Sequence, residues 1–212
     1  KDSAMALTAA IRQGYVIDSL ITVVRHDQSV SVHGVSQDLL RAQAAALGLP
    51  LIEVEVNAGH PYEQAVGDAL KAQAARGIRK IAYGDLYLED IKRWRARFHQ
   101  PLGLKCIYPI WQTDTSKLAQ RFITSGYKAV VVCVDTKRLG IEFAGREYDQ
   151  SFLDDLPEGI DPCGENGEFH TFVYDAPEFS APIALRRATA ILREFDDPGH
   201  RFTFGFCEIT QE

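Results

Sequence analysis

The stretch Leu51–Tyr83, LIEVEVNAGHPYEQAVGDALKAQAARGIRKIAY, decides the fold. Leu51–Val56 reads as a strand, Tyr62–Arg76 as a helix stopped by Gly77, and Ile78–Tyr83 as a second strand. The same alternation runs outward in both directions. Lys1–Gln13 reads as a helix with Ala4, Leu7 and Ile11 on one side and Gly14 behind it. Ser19–Val24 is a short β-rich run, and Gln37–Leu47 a helix with Ser36 as N-cap, stopped by Gly48 and Pro50. Beyond Tyr83 come a helix over Leu88–Phe98, a strand over Leu104–Tyr108 and a helix over Ser116–Thr124. Ala129–Val134 is nearly all apolar, as a strand covered on both faces must be. Alternation at this spacing predicts an α/β fold: a parallel sheet with helices on both faces, binding its ligand outside the carboxyl ends of the strands. The first segment is a helix with no strand before it, so further residues are expected upstream of Lys1.

The pattern changes after about residue 135. Asp149–Gly167 is rich in Asp, Glu, Pro and Gly and reads as loop with a short helix, whereas Thr171–Tyr174, Ile183–Leu185 and Arg201–Ile209 read as strands. In the last, Phe202, Phe204 and Phe206 alternate with Arg201, Thr203 and Gly205. A smaller mixed α+β domain is therefore expected over 113–212, behind a ligand-binding domain over 1–112.

The chain has 212 residues, 46% hydrophobic and 25% charged, with a formal net charge of −6. That is the profile of a globular protein with a proper core. The acidic balance argues against non-specific nucleic-acid binding. None of Cys106, Cys133, Cys163 and Cys207 forms a C-x-x-C pair, which argues against a zinc ribbon or a thioredoxin-type motif. No apolar run approaches the roughly 20 residues of a membrane helix, and the expected compartment is the cytoplasm.

Three segments can carry chemistry. Lys1-Asp2-Ser3 opens a helix, whose N-terminal amides and dipole can hold a phosphate; the alternative is ordinary capping by Asp2 or Ser3. Gly84-Asp85 follows a strand end. There a glycine admits a ligand to the backbone, and Asp85 can hold Mg²⁺, accept from a ribose, or cap the next helix; Glu89 and Asp90 follow. Asp161–Thr171 crowds Glu165, Glu168, Asn166, Cys163 and His170 among Gly164 and Gly167, a mixture suited to a metal, a polar substrate or an amine nucleophile; the alternative is a solvated acidic turn. Glu168 and His170 are two apart and would share a face if a strand began there. Weaker candidates are His33-Gly34 and Trp111, which can line a nucleotide pocket or serve as loop and core.

Taken in order, these segments resemble the diphthine–ammonia ligase family of PP-loop ATP pyrophosphatases, especially its bacterial branch. Lys1-Asp2-Ser3 is similar to the end of the family's SGGKDS, and His33-Gly34-Val35 to its HGV. Gly84–Asp90 resembles G-D-(I/L)-x-L-E-D, Pro109-Ile110-Trp111 resembles P-L-W, and Gly164–Thr171 resembles G-E-x-G-E-(F/Y)-H-T. The resemblance covers almost the whole chain. It implies a Rossmann-like, adenine nucleotide alpha hydrolase-like domain for ATP and Mg²⁺, followed by a substrate domain. By this resemblance Lys1, Asp2, Ser3, His33, Gly34, Gly84, Asp85 and Trp111 bind the nucleotide, with Asp2 toward Mg²⁺. Glu89, Cys163, Gly164, Asn166, Gly167 and Thr171 line the substrate, and Glu165, Glu168 and His170 are the catalytic candidates, one glutamate orienting or deprotonating the amine.

The activity so implied is ATP-dependent amide formation from a carboxylic acid, either protein-borne diphthine or a small molecule, and ammonia, with release of AMP and pyrophosphate. A homodimer is compatible with it. The alternatives are a non-catalytic ATP- or AMP-binding protein of the same fold and an RNA-thiolating PP-loop enzyme. The net charge and the lack of a C-x-x-C pair argue against the latter.

Overall fold

The computed structural model describes residues 1–25, 34–197 and 200–212. In chain order its elements are α1 (Asp2–Arg12), β1 (Leu20–Arg25), α2 (Gln37–Leu47), β2 (Leu51–Val56), α3 (Tyr62–Ala75), β3 (Lys80–Ala82), α4 (Glu89–His99), β4 (Lys105–Ile107), α5 (Thr115–Thr124), β5 (Lys128–Asp135), α6 (Gln150–Asp154), β6 (Phe169–Asp175), β7 (Leu185–Arg187), β8 (Ile191–Asp197), β9 (His200–Phe206) and β10 (Ile209–Gln211). They form two compact units: Asp2–Ser29 with Leu49–Thr113, and Lys1 with Val30–Gly48 and Asp114–Glu212.

The N-terminal unit holds two parallel pairs. Leu20 to Arg25 of β1 lie opposite Leu51 to Val56 of β2, and Lys80 to Ala82 of β3 lie opposite Lys105 to Ile107 of β4. One apolar cluster serves both pairs: Val54, Ala65, Val66, Leu70 and Leu104 are buried, with Ile21, Val23, Ile81 and Phe98 against them. The helix and strands read from Leu51–Tyr83 are present. The single parallel sheet expected from the alternation is, among the described residues, two hydrogen-bonded pairs rather than one continuous ladder. Alternating periodicity fixes which residues face inward; it does not fix how many strands share hydrogen bonds.

The other unit is built on a four-stranded antiparallel sheet in the order β6-β5-β9-β8, with β7 and β10 as a separate antiparallel pair. Here the expectation for Ala129–Val134 needs correcting. Every residue of that run is fully buried, as its composition requires, but β5 lies antiparallel between β6 and β9. An apolar run reports cover on both faces and is silent on the direction of its neighbours. The stretch Arg201–Ile209 divides into β9 and β10, and β8 was not expected. Ile191–Asp197 is an edge strand in which Ile191 and Leu192 are 47% and 58% exposed, so no inward face shows in its sequence.

Helix ends follow local chemistry. The Ser36 hydroxyl accepts from the Leu39 amide at 3.4 Å at the start of α2, and Gly48 closes that helix with φ 65°. Asp114 and Asp149 cap α5 and α6 through the amides of Lys117 and Phe152, each at 2.9 Å. α2 belongs to the second unit: Gln43 Nε2 donates to the Val173 carbonyl at 2.6 Å and the Ser180 amide to the Ala46 carbonyl at 2.7 Å. Beside β5 the core is aromatic. Phe152 stands 5.7 Å from Phe143, 5.4 Å from Tyr148 and 5.1 Å from Phe169, ring centre to ring centre.

Candidate functional site

Gly84 follows the carboxyl end of β3 and packs directly on the first turn of α1. A Cβ there would lie 2.8 Å from the Asp2 carbonyl carbon, 2.8 Å from the Ser3 nitrogen and 3.0 Å from the Asp2 oxygen. The glycine expected to admit a ligand thus admits the backbone of Asp2 and Ser3, and four sequence candidates (Asp2, Ser3, Gly84 and Asp85) meet at one place. Asp2 is the first residue of α1 and Ser3 is exposed.

Asp85 does not cap α4, whose N-cap is Leu88. Its carboxylate is ion-paired with the Arg95 guanidinium, the two side chains being only 16% and 18% exposed. Arg95 also lies 3.8 Å over the Tyr83 ring. Below it His99 is buried, with Nδ1 2.6 Å from the Arg95 carbonyl and Nε2 2.7 Å from the Tyr83 hydroxyl. A carbonyl only accepts, so Nδ1 carries the proton and the Tyr83 hydroxyl donates to Nε2. Burial lowers the His99 pKa, and the nearby Arg95 charge adds to this against the Nδ1 bond, so the site favours the uncharged ring.

Trp111 extends this group. The Tyr83 and Tyr108 rings stack with centres 5.9 Å apart, and Tyr108 meets Trp111 edge to face at 5.4 Å. The Lys92 ammonium sits 3.8 Å over Trp111 and 3.6 Å from the exposed Glu89 carboxylate. Burial pushes the Tyr108 hydroxyl up to about 12. Arg95, Tyr83 and His99 were missed in the sequence. The only trace of them was an Arg ten positions after Asp85, on a helix whose orientation a sequence does not give.

In the second unit the loop 161–168 is tied by two carboxylates that point into it. Asp161 Oδ1 accepts from the amides of Cys163 at 2.7 Å and Glu165 at 3.3 Å, and Oδ2 from the Thr115 hydroxyl at 2.8 Å. Glu168 is fully buried. Its Oε2 accepts from the Asn166 amide at 2.9 Å, and its Oε1 from Asn166 Nδ2 at 2.9 Å and the Asp161 amide at 3.3 Å, with Arg138 at 3.5 Å. Burial alone would raise the Glu168 pKa. The bonds from the Asn166 side chain and from the backbone amides outweigh it and hold the carboxyl below its usual range.

β6 begins at Phe169, so Glu168 precedes the strand and turns into the loop, whereas His170 is half-buried and opposite Cys133. The two do not share a face as expected. Gly164 has φ 68°, and a Cβ on it would come within 2.8 Å of the Phe169 oxygen, so only glycine fits. Asn166 and Gly167 are exposed and Glu165 is half-buried. The Cys163 thiol is buried and donates to the Thr115 carbonyl at 3.3 Å. Lys1 belongs to this unit: its ammonium donates to the Cys163 carbonyl and lies over the rings of Tyr148 at 5.7 Å and Phe169 at 5.5 Å. Its backbone nitrogen lies 3.1 Å from the Thr171 hydroxyl. His33 lies outside the described residues; Gly34 is half-buried with φ 63°.

Among the described residues no helix is long and apolar enough to cross a membrane, and no group of three or more His, Cys, Asp and Glu side chains is placed to hold a metal ion.

Residues 1–106 match the diphthamide synthase N-terminal domain, and residues 114–211 match the diphthamide synthase C-terminal domain. Among curated relatives, the "Diphthine--ammonia ligase" of Mus musculus is 25% identical over 92% of this chain and 83% of its own length. The protein of that name from Homo sapiens is 24% identical over the same shares. That of Schizosaccharomyces pombe is 36% identical over 87% of this chain and 34% of its own length. The chain belongs to the diphthamide synthase family.

Proposed function

We propose that the chain is an ATP-dependent amide ligase, joining an acceptor carboxylate to ammonia while splitting ATP into AMP and pyrophosphate. Membership of a family whose curated relatives carry the name diphthine–ammonia ligase supports this reading. The structural observation that carries it is the meeting of Asp2, Ser3 and Gly84 at the carboxyl end of β3, where parallel α/β folds take their ligands.

The first amides of α1 have no acceptor within the helix and suit the β- and γ-phosphates, with the Ser3 hydroxyl beside them. A Mg²⁺ ion carried in on the phosphates would have Asp2, at the first turn of α1, as the protein's carboxylate. Such an ion supplies charge neutralisation on the phosphates. Gly84, Asp85, Gly34, His33 and Trp111 complete the nucleotide side of the proposal. An acceptor carboxylate oxygen attacks the α-phosphorus, the bond to the bridging oxygen breaks and pyrophosphate leaves. Ammonia then attacks the acyl carbon, AMP leaves with the C–O electrons, and the nitrogen gives up a proton. Glu165 and His170 are the groups we assign to orient the amine and take that proton. Gly164, Asn166, Gly167 and Thr171 border the acyl group, and Glu89 lies on the substrate side.

Within the family we place the chain in the bacterial branch, with a carboxylic acid, either protein-borne diphthine or a small molecule, as the acceptor. The test incubates the protein with MgATP, ammonia and either a panel of small carboxylic acids or a diphthine-bearing protein, and measures AMP and pyrophosphate. Acceptor-dependent release is expected. Tight nucleotide binding without release under every condition would instead establish a nucleotide sensor.

A further inference from the structure

Two carboxylates tie the loop before β6, Asp161 from its start and Glu168 from its end. Asp161 fixes the amides of Cys163 and Glu165; Glu168 fixes the amides of Asp161 and Asn166 and the Asn166 side chain. The loop is closed further by the Gly164 amide on the Asp161 carbonyl at 2.9 Å and the Gly167 amide on the Gly164 carbonyl at 3.0 Å. It is joined to the sheet by the Asp135 amide on the Glu168 carbonyl at 2.8 Å. A carboxylate offers about four lone-pair directions. Four donors reach Glu168: Asn166 Nδ2, the Asp161 amide and Arg138 on Oε1, and the Asn166 amide on Oε2; Arg138 itself lies 3.8 Å from Asp135. A fully buried carboxylate with three donors on Oε1 and the Asn166 amide on Oε2 is committed to its own loop rather than to an incoming ammonium ion.

We propose that Glu168 and Asp161 are positioning residues, a two-carboxylate clasp that presents Glu165, and that Glu168 does not exchange a proton with the amine. This rests on the ligase reading above for its catalytic consequence and on the loop geometry alone for its structural one. Each carboxylate binds one amide two residues away and one farther along the loop, Glu165 for Asp161 and Asp161 for Glu168, so removing either releases the loop at two places. A general base at position 168 would need an oxygen turned toward the substrate; the observed side chain is turned toward its own loop.

The test compares the full chain with Glu168→Gln and Glu165→Gln. In Glu168→Gln the new NH₂ faces N–H donors, and hydrogen exchange at the Asp161 and Asn166 amides is expected to speed up by about tenfold or more. Amide formation falls, but at fixed free ammonia its pH midpoint stays where the wild type has it. Glu165→Gln leaves the exchange unchanged and removes the pH midpoint. Unchanged exchange in Glu168→Gln, or loss of the pH midpoint in that variant, overturns the proposal. If the wild type forms no amide with any acceptor, the ligase reading fails and hydrogen exchange alone decides the clasp. If Glu168→Gln does not fold, Asn166→Ala at an exposed position removes one bond of the clasp. It is then expected to speed exchange at the amide of residue 166, and no change there overturns the proposal.

Discussion

Replacing Gly84 by Ala tests whether the turn after β3 and the first turn of α1 form one packed unit. Gly84 is absent from the positive-φ glycines, so alanine can adopt its backbone conformation. Were there room, the substitution would stabilise the fold by about 0.4–1 kcal/mol through the unfolded chain. There is none: the new Cβ would stand 2.8 Å from two backbone atoms of Asp2 and Ser3. Relaxed carbon contacts lie near 3.5–4.0 Å, so α1 or the turn must retreat by about 0.7 Å or more. Overpacking of this kind costs about 1–3 kcal/mol. For a chain of this size that is a fall in Tm of roughly 2–4 °C per kcal/mol. Thermal unfolding reads the sign directly, and equilibrium dialysis with MgATP reads the consequence, a weakened affinity. A raised Tm with unchanged ATP affinity would refute both the packing argument and the nucleotide site built on it.

Two further outcomes are expected. Truncating Arg95 to Ala leaves the Asp85 carboxylate, only 16% exposed, without its charge partner; denaturant unfolding should show a loss of about 3 kcal/mol, and Asp85→Asn combined with it should recover part of that. His99 has a folded pKa below its ordinary 6.5, so its contribution to stability is complete above that value and is lost as pH falls from about 6.5 through the folded pKa. Unfolding measured at several pH values should show this decline in the wild type and not in His99→Gln, and equal slopes in both would contradict a buried neutral ring.

Much of the N-terminal unit was legible because its elements obey local rules. Leu51–Val56 and Gln37–Leu47 have the bounds expected of them, and Ser36 and Gly48 cap α2 as the residue types require. Strand partners were not legible. β5 shows that an apolar run states how deeply it lies and not whether its neighbours run with or against it. The site divides similarly. Residue types at 161–171 announced a polar loop with constrained glycines. The inward turn of Glu168 depends on the reach of Asn166 and the Asp161 amide, and that is fixed only when the loop closes. Arg95 and His99 escaped notice because what distinguishes them is a partner: Asp85 for one, the Tyr83 hydroxyl for the other.

The grouping of α2 with the second unit means that this unit is not one continuous length of chain. A fragment cut at Asp114 would carry the antiparallel sheet but not the helix that bonds to Val173 and Ser180. It would expose the apolar surface that Leu39 and Ala44 now help to bury. During synthesis that helix leaves the ribosome long before its partners, and must wait for more than a hundred further residues before it can dock. Dissecting the protein into two independently folding modules at the obvious boundary should therefore fail for the second module unless residues 34–48 are supplied with it.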